Sequence, residues 1–347
     1  MWSLPGFSPE LDWIQVELSA RCAGDCLYCP VSRFRGRRRE GLMTEETFHH
    51  LEPSFSVAEL IFLQGWGEPL LHPRLWQYVE RVRKAGPRVG LTTNGVLLNA
   101  ENREALIESG LDILGVSLAG AAATTHDHFR GGNPLDTIHG NLRALREEKD
   151  RRGAEEPRVH IAFQLLASNL GELPGVIALA RAWGAVQIVV SHLDLVLSPA
   201  MESEFLPSRP ELQDELEDRL LDLQDRARGA GIGFHAYRHA PAEPHLTCTE
   251  NVMNSCFVTA DGDVSPCVMA NVGVEEDAGA VHRFRGKEVS LSSLVFGNVN
   301  DEPLEKILKS KKARDFRRAF RDRTWTGQRG PEDLPLPCRS CNKLFEA

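Results

Sequence analysis

From residue 11 to residue 228 the chain repeats one pattern six times: a short apolar run, a loop, then a charged segment of helical character. The runs are 11–18, which alternates apolar and polar side chains, then 61–63, 89–93, 113–118, 159–166 and 186–190. The segments between them carry helix punctuation. Thr44 before Glu45 and Glu46 reads as an N-cap with acids in the first turn, Pro73 opens a helix that Gly86 stops, and Gly110 closes 100–109. Residues 135–148 are expected to be helical, a helix capped near Asn169 runs to Trp183, and 210–228 follows the last strand. Strands alternating with helices make a parallel sheet covered by helices. Six units fall short of a closed eightfold barrel, so the expected fold class is α/β, a partial (β/α)6 TIM-like barrel. Its chemistry belongs on the loops at the C-terminal ends of the strands.

The rhythm stops near residue 240, where Pro241, Pro244 and five cysteines replace it. A boundary at about 238 follows, with residues 1–238 the barrel and 239–347 a small cysteine-rich α+β domain. There Cys256 to Val264 reads as a hairpin turning at Asp261-Gly262, 271–296 as a Gly- and Val-rich connection, and Pro303 as the start of a basic helix reaching about Arg321.

Eight cysteines are spread unevenly: Cys22, Cys26 and Cys29, none in the next 218 residues, then five between 248 and 341. The stretch from Met1 to Gly6 has neither the basic nor the apolar region of a secretory signal. No apolar run approaches the roughly 20 residues that cross a bilayer. The expected location is cytoplasmic and reducing, where cysteines serve as metal ligands or reactive thiols rather than disulfides. A net charge of −9 argues against a general nucleic-acid surface. The basic run Arg33, Arg35, Arg37, Arg38 and Arg39 reads first as a solvated loop and second as a grip on an anionic substrate or partner.

Three cysteines in a Cx3Cx2C spacing just after the first strand share one metal centre or are an accident of composition. Iron–sulfur clusters usually take four cysteines, one per iron, so three leave one iron free to bind a substrate or cofactor. Alone, the spacing equally allows a zinc half-site. With Tyr28 before the last cysteine, and Gly65-Trp66-Gly67-Glu68-Pro69 after the second strand, the chain resembles the radical S-adenosylmethionine (SAM) enzymes. The resemblance implies that Cys22, Cys26 and Cys29 hold a 4Fe–4S cluster whose open iron chelates SAM. Gly67-Glu68-Pro69 then matches the region that binds the SAM ammonium group, Thr93-Asn94-Gly95 a family strand end, and Ser117-Leu118-Ala119-Gly120 with His126-Asp127 and Arg130-Gly131 a further run. By that match the SAM-site residues are Tyr28, Gly65, Gly67, Glu68, Asn94, Ser117 and Arg130, with Ser117 reaching the ribose or carboxylate and Arg130 the carboxylate. Ala119 stands where Asp is usual, and Ala23 where Asn is common.

The C-terminal cysteines resemble the auxiliary-cluster region called SPASM, or its shorter twitch relative. A full SPASM region has seven cysteines for two clusters; five are present, which implies one auxiliary 4Fe–4S cluster on Cys248, Cys267, Cys338 and Cys341. Cys256 is a buried structural thiol or an alternative to Cys248, and zinc on four cysteines is the inorganic rival.

The expected function is a radical SAM oxidoreductase or maturase that cleaves SAM to a 5′-deoxyadenosyl radical and abstracts hydrogen from a peptide, protein or cofactor precursor. A small-molecule radical SAM dehydrogenase is the alternative. A non-catalytic iron–sulfur electron-transfer or binding protein is the alternative of another class. Expected partners are SAM, the peptide or small-molecule substrate and an electron donor such as ferredoxin or flavodoxin, with neither nucleic acid nor membrane. About ten residues precede the first strand, too few for a fused peptide-recognition domain. No catalytic side chain is assigned. Gln164, Ser191, His192 and Asp194 are candidates for the substrate pocket, although a lone His there is more often structural. The spacing of His235, His239 and His245 suits no compact metal site, and no Walker loop or dinucleotide fingerprint is present.

Overall fold

The six expected strands stand side by side in chain order. They are β1 (Leu11–Val16), β2 (Ala58–Phe62), β3 (Arg88–Thr93), β4 (Ile113–Leu118), β5 (Arg158–Gln164) and β6 (Gln187–Ser191), each parallel to the next. The computed structural model describes residues 11–238, 244–275, 279–327 and 330–346. Met1 to Gly6, His239 and Pro241 lie outside the described residues. In-step pairing, such as Thr93 with Val116, Ser117 with Ala162 and Gln164 with Ser191, brings the C-terminal strand ends to one rim. Ile14, Ile61, Leu91, Val116, Ile161 and Ile188 are completely buried and hold the sheet to the helices.

Those helices are α1 (Glu45–Leu51), α2 (Leu75–Ala85), α3 (Ala100–Ser109), α4 (Leu135–Arg152), α5 (Leu173–Trp183) and α6 (Gln213–Gly229). Their punctuation is the expected kind: Thr44 accepts from the Thr47 N–H to start α1, and Gly86 and Gly110 end α2 and α3 in the left-handed conformation.

The sheet is longer at both edges than the six units. After α6, β7 (Gly233–Ala236) adds parallel to β6. At the other edge β8 (Ser255–Val258) lies parallel to β1, with Cys256 opposite Ile14. The expected hairpin then carries the chain through Gly262, at φ 90°, into β9 (Asp263–Ser265), and Gly297–Asn298 closes a ten-stranded sheet. The C-terminal region therefore begins as a continuation of the barrel sheet. Within 271–296 a second hairpin forms, Val281–Phe284 with Lys287–Ser290. The basic helix is split into Leu304–Leu308 and α7 (Lys311–Thr326), because Ser310 accepts from Ala313 N at 3.3 Å and caps a new start. Among the described residues no helix is long and apolar enough to cross a membrane.

Candidate functional site

The loop after β1 is pinned where the three cysteines lie. Asp25–Cys26 pairs antiparallel with Arg130–Gly131, setting Cys26 opposite Arg130. Donors reach the sulfurs: Gly24 N to Cys22 Sγ at 3.4 Å, Asn133 Nδ2 to Cys26 Sγ at 3.6 Å and Asn94 Nδ2 to Cys22 Sγ at 4.0 Å. Burial raises the Cys22 thiol and pushes Cys29 up to about 12, and a charge on Cys26 would raise both further. Burial thus favours the protonated form of Cys22 and Cys29, and a bound cation would favour their thiolates.

Glu68, 3% exposed, is the buried acid of the site. Its Oε1 accepts from Leu70 N at 3.1 Å and Thr93 Oγ1 at 2.7 Å, and its Oε2 from Asn94 N at 2.8 Å. A carboxylate offers roughly four acceptor positions, so one stays available to a ligand. Burial raises Glu68 above the ordinary carboxylate range, and a nearby ammonium group would hold it ionised. The turn carrying it must come very close to the cysteine loop. A Cβ on Gly67 would lie 2.1 Å from the Ser19 carbonyl oxygen, and one on Gly65 2.4 Å from the Glu17 side chain.

Arg130, itself buried, donates from Nη1 to Tyr28 Oη at 3.0 Å, while its Nε has no partner among the described residues. Burial raises Tyr28 well above the ordinary phenol range. Ser117 reaches the rim on β4, and its hydroxyl makes no side-chain hydrogen bond among the described residues. His126 and Asp127 are structural: Ala119 N donates to His126 Nδ1 at 3.4 Å, and Leu135 N to Asp127 Oδ1 at 2.8 Å to start α4. Where Ala119 replaces the usual Asp, its carbonyl accepts from buried Asn169, which also holds Leu166 N and Gln164 O.

The solvated-loop reading of the basic run holds for Arg33, Arg35 and Arg37, which are exposed, and fails for Arg38 and Arg39, which are drawn into the protein. Arg38, 6% exposed, donates to Ala20 O at 2.6 Å and Val272 O at 3.3 Å; Arg39 pairs with Asp263 and Asn271; Arg33 donates to Leu197 O. Arg38 also faces Glu17, a buried carboxylate that accepts from Trp66 N at 2.8 Å, and Trp66 Nε1 donates to Asn271 O at 3.1 Å. Arg38 and Arg39 form a clasp joining cysteine loop, glutamate turn and C-terminal region. Apart from Ala20 its partners lie more than 200 residues away, so no local pattern announces it.

In the C-terminal region, Cys267 is close enough to Cys248, Cys338 and Cys341 to feel all three, and Cys341 feels Cys248 and Cys338. Burial pushes Cys248 and Cys338 up to about 12. Cys256 stands apart on β8, buried, with only the Arg317 charge acting on it. All eight cysteines are unpaired. Among the described residues no three His, Cys, Asp or Glu close on one ion. A tetrahedral zinc site needs thiolates about 3.8 Å apart, from Zn–S bonds of about 2.3 Å. A cubane spreads its thiolates over separate irons, and two gathered sets of buried soft donors supply the ligand chemistry it takes.

Beside Cys29 lies a cavity of about 110 Å³ lined by Tyr28, Cys29, Pro30, Trp66, Gln164 and Asp194, with Leu193 and Leu195. Gln164 Nε2 is taken up by Ser191 O at 3.0 Å. Asp194 pairs at 2.9 Å with Lys343, a buried ammonium that also meets Glu346 at 3.1 Å and Glu250 at 3.6 Å. His192 is buried and absent from the lining; His235 sits on β7, and His245 donates its backbone N–H to Leu344 O. A larger cavity of about 290 Å³ lies at Leu11, where β1 begins, at the opposite end of the strands from the cysteines.

Residues 16–152 match the family model of the radical SAM superfamily, and 248–342 match SPASM, an iron–sulfur cluster-binding domain. The chain belongs to the radical SAM superfamily. It is 27% identical to the AdoMet-dependent heme synthase of Methanosarcina barkeri over 94% of this chain and 86% of that protein. It is 25% identical to the PqqA peptide cyclase of Gluconobacter oxydans over 97% and 84%. Streptococcus suis SuiB bound to S-adenosylmethionine shares the fold at a TM-score of 0.63 and 14% identity, covering 87% of this chain and 66% of SuiB. A radical SAM chain with a SPASM region carries a SAM-binding 4Fe–4S cluster and auxiliary iron–sulfur chemistry.

Proposed function

We propose that this radical SAM enzyme matures a peptide or cofactor precursor by hydrogen abstraction in the cavity beside Cys29, Trp66 and Asp194. The observation that carries the reading is the joining at one rim of the Cys22/Cys26/Cys29 loop to a buried Glu68 held by Thr93 and Asn94. A cluster bound there would supply the electron for reductive cleavage of SAM to methionine and a 5′-deoxyadenosyl radical. The chain's own residues bind, orient and exclude water. Cys22, Cys26 and Cys29 are the cluster ligands. Glu68 receives the SAM ammonium group through its remaining acceptor position, Gly65 and Gly67 let the turn approach, and Arg130, Ser117, Asn94 and Tyr28 complete the SAM site. Cys248, Cys267, Cys338 and Cys341 hold one auxiliary 4Fe–4S cluster.

Residues 1–238 act as the radical-generating barrel and 239–347 as the auxiliary unit. The relatives support the substrate class, because one makes a cofactor and another cyclises a peptide. Oxidation of a small molecule is the second reading, favoured by the modest cavity of about 110 Å³. The complete Glu68 environment speaks against a non-catalytic iron–sulfur protein. An external low-potential electron donor and a cytoplasmic setting belong to the proposal.

The test compares two cysteines. Cys26→Ala abolishes SAM cleavage, whereas Cys341→Ala leaves dithionite-driven 5′-deoxyadenosine formation largely intact and impairs substrate turnover. Equal loss in both contradicts the division of roles.

A further inference from the structure

Helix α7 carries a charge opposite to that of the chain. Residues 304–326 contain nine basic and three acidic side chains in a protein whose net charge is −9. One face of α7, made by Ala313, Phe316, Phe320 and Arg323, is buried. The opposite face presents Lys311, Arg314, Arg318, Arg321 and Trp325 at spacings of three and four, which stack on one side of a helix. Trp325 is 89% exposed, the largest exposure of any big apolar side chain described. Lys311 and Arg318 share Asp315, while Arg321 makes no ion pair among the described residues. A basic stripe ending in a bare indole has the composition of a protein-binding hot spot, because Trp and Arg gain most on desolvation against a partner.

The helix also reaches the auxiliary set at Cys338. From the buried face, Arg323 donates to His245 O at 2.9 Å and to Gly330 O, tying down the segments that lead to Cys248 and Cys338, and its charge acts on Cys338. A groove along α7 is walled by Asp333, Leu334, Pro335 and Arg339, within the turn that holds Cys338; Asp333 also borders a second groove beside Lys311, Arg314 and Arg318, and Leu336 is 66% exposed.

We propose that this face is the docking surface for the electron donor, a small acidic protein carrying a one-electron centre. The proposal rests on the functional reading above, which requires such a donor. Opposite charges steer the encounter, Trp325 and Leu336 supply the apolar contact, and the donor is seated beside the turn bearing Cys338.

The probe is a bacterial flavodoxin, titrated against the cluster-loaded enzyme by calorimetry at low and at physiological salt. Binding is expected to weaken with salt. The triple variant R314E/R318E/R321E should weaken it by about tenfold or more, as loss of rim charges does. Trp325→Ala should weaken it with less change in salt dependence. Circular dichroism checks the fold, and dithionite-driven SAM cleavage, which needs no docking, stays at the wild-type level in both variants. Equal flavodoxin affinity in wild type and triple variant overturns the surface. So does binding of a short RNA more tightly than flavodoxin, which reassigns the face. Failure of wild-type protein to cleave SAM with dithionite strikes the catalytic reading, while the titration still decides the surface.

Discussion

Gly67 offers the sharpest structural test of how the glutamate turn is held. In Gly67→Ala the new methyl would lie 2.1 Å from Ser19 O, 2.6 Å from Arg21 O and 2.8 Å from Arg21 N, all backbone atoms, where ordinary contact begins at 3.4 Å. The turn must retreat by roughly 1.3 Å, taking the 3.4 Å contact limit as reference. Glu68 moves with it. Its 2.7 Å bond from Thr93 and 2.8 Å bond from Asn94 then stretch beyond hydrogen-bonding range. Bonds to a charged group are worth about 1.5–3 kcal/mol each, and relaxation recovers part of the loss. The expected cost is about 2–4 kcal/mol in stability by urea unfolding of the apoprotein. Displacement of Glu68 should also weaken SAM binding by about 10- to 100-fold, measured by anaerobic dialysis against cluster-loaded protein. Gly140→Ala is the control: it lies inside α4 with nothing within 4 Å of its would-be methyl and should stabilise by about 0.5–1 kcal/mol. Wild-type unfolding midpoint and SAM affinity in Gly67→Ala would refute the reasoning.

Other perturbations have distinct outcomes. Arg38→Met removes one of the two cations acting on buried Glu17 and leaves the Ala20 and Val272 carbonyls without that donor, so unfolding should become easier by about 2–4 kcal/mol; an unchanged urea midpoint would remove the clasp. Cys256→Ala should leave the iron content of reconstituted protein unchanged, and loss of one cluster's iron would make Cys256 a ligand. Burial pushes His126 and His282 down to about 4 in the folded protein. The unfolded chain therefore binds more protons between about 4 and about 6.5, and stability falls as pH drops through that window. Each imidazole contributes at most about 3 kcal/mol. His126→Gln should flatten the acid limb of a urea-midpoint profile, and an unchanged slope would contradict the assignment.

How far the chain could be read depends on whether its signals are local. The six strands carried turn or cap signals beside them, and Thr44, Gly86 and Gly110 mark helix ends that the structure keeps. The cysteine loop and Glu68 turn stood out because their residue types are chemically expensive away from a site. β7 did not, since Gly233–Ala236 is four residues with a histidine in it and forms only because β6 offers an edge. Arg38 and Arg39 looked like solvent-facing charge because their partners, Val272 and Asp263, lie more than 200 residues away. Lys343 was equally silent: an isolated lysine near the end of the chain says nothing of Asp194, Glu250 and Glu346 around it. Of the polar candidates at the rim, Asp194 lines the cavity while His192 does not, a distinction set by side-chain direction rather than sequence position.

The most direct measurement is anaerobic reconstitution followed by reduction in the presence of SAM, with iron counted and 5′-deoxyadenosine quantified on the same sample. About eight irons per chain, from two 4Fe–4S clusters, and dithionite-dependent 5′-deoxyadenosine are expected. Iron bound without SAM cleavage, or zinc bound with no visible absorbance, would contradict the assignment of Cys22, Cys26, Cys29 and Glu68 to radical generation.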